Sequence, residues 1–297
     1  MPDRMIPRNV THLLADQAVF DSWARSAGID DSGNAQRIFK RLAEQGVSLH
    51  ALGNLIKSLG QLLPLFGDAD RLLVTLGRFL QVVPSPSAAV AIFEEDPEAL
   101  DQLLEVLATS PFLGEIIIAE PDVWESIRRG GGRPEKRESL RDVLRSEVGN
   151  SLDSSFVMHK LRRFKRREIL RVAYGDIVKQ QRLETVVDQI SAIAERVIDE
   201  ALRVVFLQQQ QRRGTPLTTD GRPATIAVVA LGKLGGNELN YSSDVDLIFC
   251  YSEDGDVAGS KTCTTGEFFT RVVQEVTRML NDQTELGAAY RVDLRLR

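Results

Sequence analysis

The chain has 297 residues, 43% hydrophobic and 27% charged, with 22 glycines, 11 prolines and two cysteines, a balance that excludes a disordered, collagen-like or disulfide-scaffolded protein. A length of this order suggests about two domains, each able to bury a core. The net charge of -5 gives no general attraction to nucleic acid, and the longest apolar runs, such as Ile226 to Leu231, fall far short of the roughly 18 residues a membrane helix needs.

Residues 1–10 carry charge and two prolines but no apolar stretch, so a secretory signal is not expected. With Cys250 and Cys263 as the whole cysteine complement, a cytoplasmic location is expected, and any metal should sit on oxygen. From about Thr11 to Gln210 the apolar residues recur at three and four, as in Leu100, Leu103, Leu104 and Leu107, which is the period of helices packed on one face. Roughly eight to ten helices are expected, with Asp96-Pro97 and Ser110-Pro111 each placing a capping residue before a proline at the first helical position. A glycine-rich loop, RRGGGRP, falls at 128–134.

The stretch Lys160 to Arg171 holds seven basic residues and one acid. It reads either as a phosphate or acidic-partner contact or as a helix with a solvated basic side and Leu161 and Phe164 packed inward, with Glu168 in a buried ion pair. Beyond it, Gln208 to Gln211 and RRGTPLTTDGRP form a polar, turn-rich linker, which puts a domain boundary near 215/216.

Past that boundary the period changes. TIAVVALG (225–232) and DVDLIFCY (244–251) read as buried strands rich in β-branched residues. Thr264 and Glu267 have capping-box spacing before a helix carrying Phe268, Val272, Val276 and Leu280, and AYRVDLRLR (289–297) reads as a third strand. The result is an α/β unit whose sheet has one helix-covered face.

Three carboxylates stand out in it. Alternation along the second strand puts Asp244 and Asp246 on one side, about 7 Å apart, and alternation along the third puts Asp293 opposite its buried set, bracketed by arginines. Carboxylates gathered in this way repel and raise one another's pKa values unless a divalent cation neutralises them, and oxygen ligation with open positions suits Mg²⁺ or Mn²⁺. Such a centre serves in-line displacement at phosphorus. The turn LGKLGGNELNYSS (231–243) supplies Gly232, Gly235 and Gly236 for close approach of an anion, with Lys233 adding positive charge, though it is neither a Rossmann fingerprint nor a P-loop.

At these residues the chain resembles the glutamine synthetase adenylyltransferase family, the bifunctional adenylyl-transferring and adenylyl-removing enzymes. GKLGGNELNYSSDVDLIF (232–249) and YRVDLRLR (290–297) are similar to its two signature stretches, and SPFLGEIIIAEPDVW (110–124) and LRRFKRREILRVAYGDI (161–177) to earlier phrases, so the resemblance covers about 80–297. It implies an α+β fold: a long all-α region over 1–215, then a nucleotidyltransferase core like that of DNA polymerase β over 216–297, incomplete at its C-terminus because members continue past the third carboxylate.

The same resemblance implies that Asp244, Asp246 and Asp293 hold two Mg²⁺ or Mn²⁺ ions and carry the catalysis. It implies that Gly235, Gly236 and Ser243 contact nucleotide phosphate. Arg295 and Arg297 either neutralise phosphate charge or pair with Asp293. ATP, ADP and phosphate are the implied substrates or products, glutamine synthetase the protein substrate and a PII signal protein a regulatory partner. The wording of the motifs is closer to the half that removes AMP by phosphorolysis. Two other readings are another polymerase-β-like nucleotidyltransferase, such as one uridylylating a PII signal protein, and a catalytically silent fragment that docks partners through its helices.

Overall fold

The computed structural model describes residues 10–242, 244–259 and 263–294, which divide into two compact units. The first comprises Met1–Gly132 and Ile177–Gln180, and the second Arg133–Asp176 and Gln181–Arg297. The dividing point lies in the glycine-rich loop, where Gly131 closes a helix in the left-handed conformation at φ 68°.

The described part of the first unit is helical: α1 (Val10–Ala15), α2 (Gln17–Ser26), α3 (Ser32–Glu44), α4 (Leu49–Leu62), a 3-10 turn (Leu63–Leu65), α5 (Ala69–Val82), α6 (Pro86–Glu95), α7 (Pro97–Thr109), α8 (Pro111–Ala119) and α9 (Pro121–Gly130). Side chains of Asp16, Asp31, Ser48, Asp68 and Ser85 accept hydrogen bonds from first-turn amides and so fix five of these starts. Prolines begin α6 to α9, cutting the chain into short helices; this is why more of them form than the spacing of apolar residues suggests. Asp96 and Ser110 stand at the expected cap positions but make no side-chain cap bond; Asp96 instead receives Arg128 at 2.5 Å. Leu100, Leu103, Leu104 and Leu107 are buried, as are Phe20, Trp23 and Phe39, whose rings pack at centroid distances of 5.2 to 6.2 Å.

The second unit opens with α10 (Arg137–Val148), α11 (Ser154–Ile177, whose last residue belongs to the first unit) and α12 (Leu183–Arg213). The helix α12 runs through Gln208 to Gln211, correcting the expectation of a linker there. Gln208 and Gln209 are buried, and the Gln208 amide donates to the Leu152 carbonyl at 2.8 Å, so the first half of the polar run is held by partners while Gln211 stays exposed. The switch from helical to strand character at 215/216 falls inside this unit.

Then follow β1 (Ile226–Leu231), the single turn α13 (Gly232–Gly235), β2 (Val245–Tyr251), α14 (Thr265–Asn281) and β3 (Val292–Asp293). The strands form a sheet in the order β1-β2-β3, β1 antiparallel to β2 and β2 parallel to β3. A parallel pair needs a crossover, and α14 supplies it. The expected capping box forms in full: Thr264 accepts from the Glu267 amide and Glu267 from the Thr264 amide.

On one side α14 buries Phe268, Phe269, Val272 and Val276, and β2 buries Val245 and Leu247. On the other side Ala227, Val229 and Leu231 alternate into exposure, Val229 at 46%. The continuous apolar run of β1 therefore does not mark burial on both faces; it is a half-covered strand. The third strand is two residues long, with Leu294 outside it.

Candidate active site

The site is built at the end of the sheet where β1 turns into α13. Gly232 has φ +55°, and a Cβ there would stand 2.8 Å from Asp246 Oδ2, so a glycine lets the turn lie against the first strand-borne carboxylate. At Gly235 a Cβ would meet the Ala230 carbonyl oxygen at 2.5 Å, so this glycine closes the turn onto the strand that feeds it. The amide of Gly236 donates to the Gly232 carbonyl at 3.1 Å and that of Glu238 to the Lys233 carbonyl at 2.7 Å, so both donors are engaged within the turn. Lys233 is exposed beside it.

Leu231 pairs with Asp246 across the antiparallel ladder, and Asp246 pairs with Asp293 across the parallel one. Residues in register share a face, so Asp246 and Asp293 stand side by side on the face away from Val245 and Val292, which are buried. Asp244 precedes β2, and its carboxylate receives the Arg291 guanidinium. Among the described residues no group of three or more His, Cys, Asp or Glu side chains lies close enough to hold a metal ion. The three carboxylates expected to form one cage are thus arranged as an adjacent pair and a third engaged by arginine.

Two neighbouring carboxylates are hard oxygen donors of the sort Mg²⁺ takes, together with waters and substrate phosphates, so Asp246 and Asp293 fit such an ion as a partial ligand set. Ser243, Arg295 and Arg297, also expected at the site, lie outside the described residues.

The turn is held by residues that motif reading does not single out. Arg137, on α10, donates to Asp188 at 2.5 Å, to Glu195 and, at 3.2 Å, to the side-chain oxygen of Asn237, which itself has φ +56°. Ser191, fully buried in α12, accepts from the Leu239 amide at 3.1 Å. Tyr241 donates to Asp176 at 3.0 Å, and burial together with that carboxylate pushes the phenol above its ordinary pKa. Helical spacing alone gives no signal for Arg137, Asp176 and Ser191, because each is an ordinary polar residue on a helix.

The basic stretch on α11 departs from a solvated face. Arg162 is 1% exposed, while Glu168, buried as expected, pairs with Arg167 at 3.1 Å and Arg171 at 2.7 Å.

Residues 100–297 match the model of the glutamate-ammonia ligase adenylyltransferase family. The chain is similar to two proteins named bifunctional glutamine synthetase adenylyltransferase/adenylyl-removing enzyme. One is from Thioalkalivibrio sulfidiphilus, 36% identical over 203 residues, and one from Shewanella loihica, 34% identical over 202. Each alignment covers 68% of this chain and 21% of the relative, so the chain spans about a fifth of the length of these proteins. The family match takes in the glycine turn and both strand carboxylates, and the chain belongs to the glutamate-ammonia ligase adenylyltransferase family.

Proposed function

We propose that this chain carries nucleotidyltransfer chemistry on glutamine synthetase, in the sense that removes AMP. Phosphate attacks the α-phosphorus of the adenylyl-tyrosine linkage, the bond from phosphorus to the tyrosine oxygen breaks, that oxygen takes a proton, and ADP leaves. The opposite sense, tyrosine attacking ATP, is also an in-line displacement at the α-phosphorus: the bond from tyrosine oxygen to phosphorus forms, the α-β phosphoanhydride bond breaks, pyrophosphate leaves and the tyrosine gives up its proton. The observation that supports this reading is the register that seats Asp246 beside Asp293, with Gly232 against Asp246, inside the segment matched to the family.

In this reading residues 216–297 are the nucleotidyltransferase core, akin to that of DNA polymerase β, and α10, α11 and α12 of the same unit are its support. Asp246 and Asp293, with Asp244 once it leaves Arg291, would hold Mg²⁺ or Mn²⁺, which supplies neutralising charge to the phosphate oxygens. Asp293 positions or deprotonates the nucleophile. The turn at Gly235 and Gly236 admits the nucleotide phosphates, with Lys233, Ser243 and Arg295 beside them. The reaction belongs to the cytoplasm, and a PII signal protein belongs to the same proposal as regulator. No helix among the described residues is long and apolar enough to cross a membrane.

The test is to incubate the chain with adenylylated glutamine synthetase, phosphate and Mg²⁺ and to follow ADP. Release that falls roughly a hundredfold or more in Asp246→Asn supports the reading. Release indifferent to that change overturns it. Binding of glutamine synthetase without any release supports instead a docking fragment, for which the engagement of Asp244 by Arg291 is the favouring observation.

A further inference from the structure

We propose that Arg162 and Lys165 of α11 are positioning residues for this site: they set the segment leading into β3 so that Asp293 comes to rest beside Asp246. The inference rests on the reading of Asp246 and Asp293 as the reacting centre.

The described part of β3 is short. Among the described residues its ladder with β2 consists of two residue pairs, and a ladder of that length is marginal without outside support. The support comes from the connection that precedes it. Amides of Ala289 and Tyr290 donate to the Leu280 carbonyl at 3.0 and 3.1 Å, the Val292 amide to the Asn281 side chain at 2.7 Å, and the Val245 amide of β2 to the Arg291 carbonyl at 3.0 Å. This connection is itself pinned from α11.

Arg162 reaches the last turn of α14. Its Nη2 donates to the Met279 carbonyl at 3.1 Å and to that of Asp282, its Nε to the Gly287 carbonyl at 2.7 Å, and its Nη1 to Met158 of its own helix at 3.0 Å. A guanidinium is the side chain that can serve several carbonyls in one plane, and the C-terminal end of a helix is where a cation is favoured. Burial nevertheless draws its pKa below the ordinary value, so the buried charge is tolerated only while those carbonyls stay in place.

Lys165 lies one turn further on, donating to the Ala289 carbonyl with its ammonium 4.2 Å from the centre of the Tyr290 ring. Together the two residues grip positions 279, 282, 287, 289 and 290, the path that ends at Asp293.

The experiment uses the full chain with Lys165→Met, Arg162→Lys and Arg162→Met, amide hydrogen exchange resolved by residue, and the ADP-release assay. Exchange at Val245 and Val292 is expected to accelerate at least tenfold in Lys165→Met, with the β1–β2 amides and those of α11 changed less than twofold. The turnover number should fall while KM for phosphate stays within twofold, and Arg162→Lys should retain more turnover than Arg162→Met. Unchanged exchange at Val245 and Val292, or protection lost evenly through the second unit, overturns the proposal. Should Arg162→Met not fold, Lys165→Met and Arg162→Lys decide it. If the wild-type chain releases no ADP, the functional reading fails, and the exchange pattern still decides whether these residues position β3.

Discussion

The two units are built from helices of the same amphipathic kind, yet they are stabilised differently. Of the buried polar and charged side chains among the described residues, Gln36 lies in the first unit, whereas Arg162, Glu168, Gln189, Ser191, Glu200, Gln208, Gln209, Thr218 and Thr265 lie in the second. Burying such groups is unfavourable unless each finds its partner in good geometry, so they add specificity of position more than stability. In the first unit the core defines a shape. In the second it also fixes where a turn and a short strand must lie, and those are the parts that carry the candidate site.

The largest effect expected from that contrast is in the apolar unit. Leu103 is fully buried on α7, and Leu103→Ala removes methyl groups from a packed site, so destabilisation of the first unit by about 2–5 kcal/mol is expected in urea unfolding followed by exchange of its core amides. Leu103→Met should cost less than about 1.5 kcal/mol, because volume rather than polarity matters there. A large loss with methionine would break the comparison.

What could be read in advance divides along the same line. Helical period, capping residues and prolines are local, so the helical character of the first unit, the box at Thr264 and Glu267 and the two longer strands were all legible in order. The placing of Asp246 and Asp293 away from the buried side chains of their own strands was legible, since alternation along a strand needs no tertiary knowledge; that the two strands lie side by side with these residues in register was not. The engagement of Asp244 by Arg291 was not, because either neighbouring carboxylate offers the arginine the same charge. Neither was the burial of Arg162: a run of basic residues has one default, the solvated face, and only the carbonyls at the end of α14, some 120 residues away, override it. The helicity of Gln208 to Gln211 escaped for the same reason, its partners lying at Leu152 and Ser154.

The second unit should also respond to alkaline pH. Burial, with Arg162 adding repulsion, lowers the Lys165 pKa to about 8 from the ordinary 10.5. Below pH 8 the ammonium is protonated in folded and unfolded chains alike, and the desolvation cost is fully present. Between about pH 8 and 10.5 the unfolded chain holds a proton that the folded one has released, so stability rises with pH across that window, by about 3 kcal/mol at most. The measurement is the difference in urea midpoint between wild type and Lys165→Met from pH 7 to 10.5. A difference that stays flat would show that the amine is not held in the apolar setting described.

A smaller effect is expected at the anchor of the glycine turn. Ser191→Ala leaves the Leu239 amide without its buried acceptor, a loss of about 1–3 kcal/mol, and should raise exchange at Leu239 above that of other α12-packed amides. Equal protection in the variant would mean that the turn keeps its place without α12.

The smallest effect belongs to the ion pair at the site itself. The side chain of Arg291 is 81% exposed and that of Asp244 42%, so the pair lies in high dielectric and Arg291→Ala should change stability by about 0–1 kcal/mol. Its interest is the opposite of its size. If the second unit is built to place carboxylates rather than to gain stability from them, removing Arg291 frees Asp244 at little cost to the fold, and Mn²⁺ affinity measured by titration should rise about two- to fivefold, the range a surface ion pair of this strength can hold back. An affinity that falls instead would mean that Arg291 orients the carboxylates, and the adjacent pair on β2 and β3 would then depend on the arginine that competes for their neighbour.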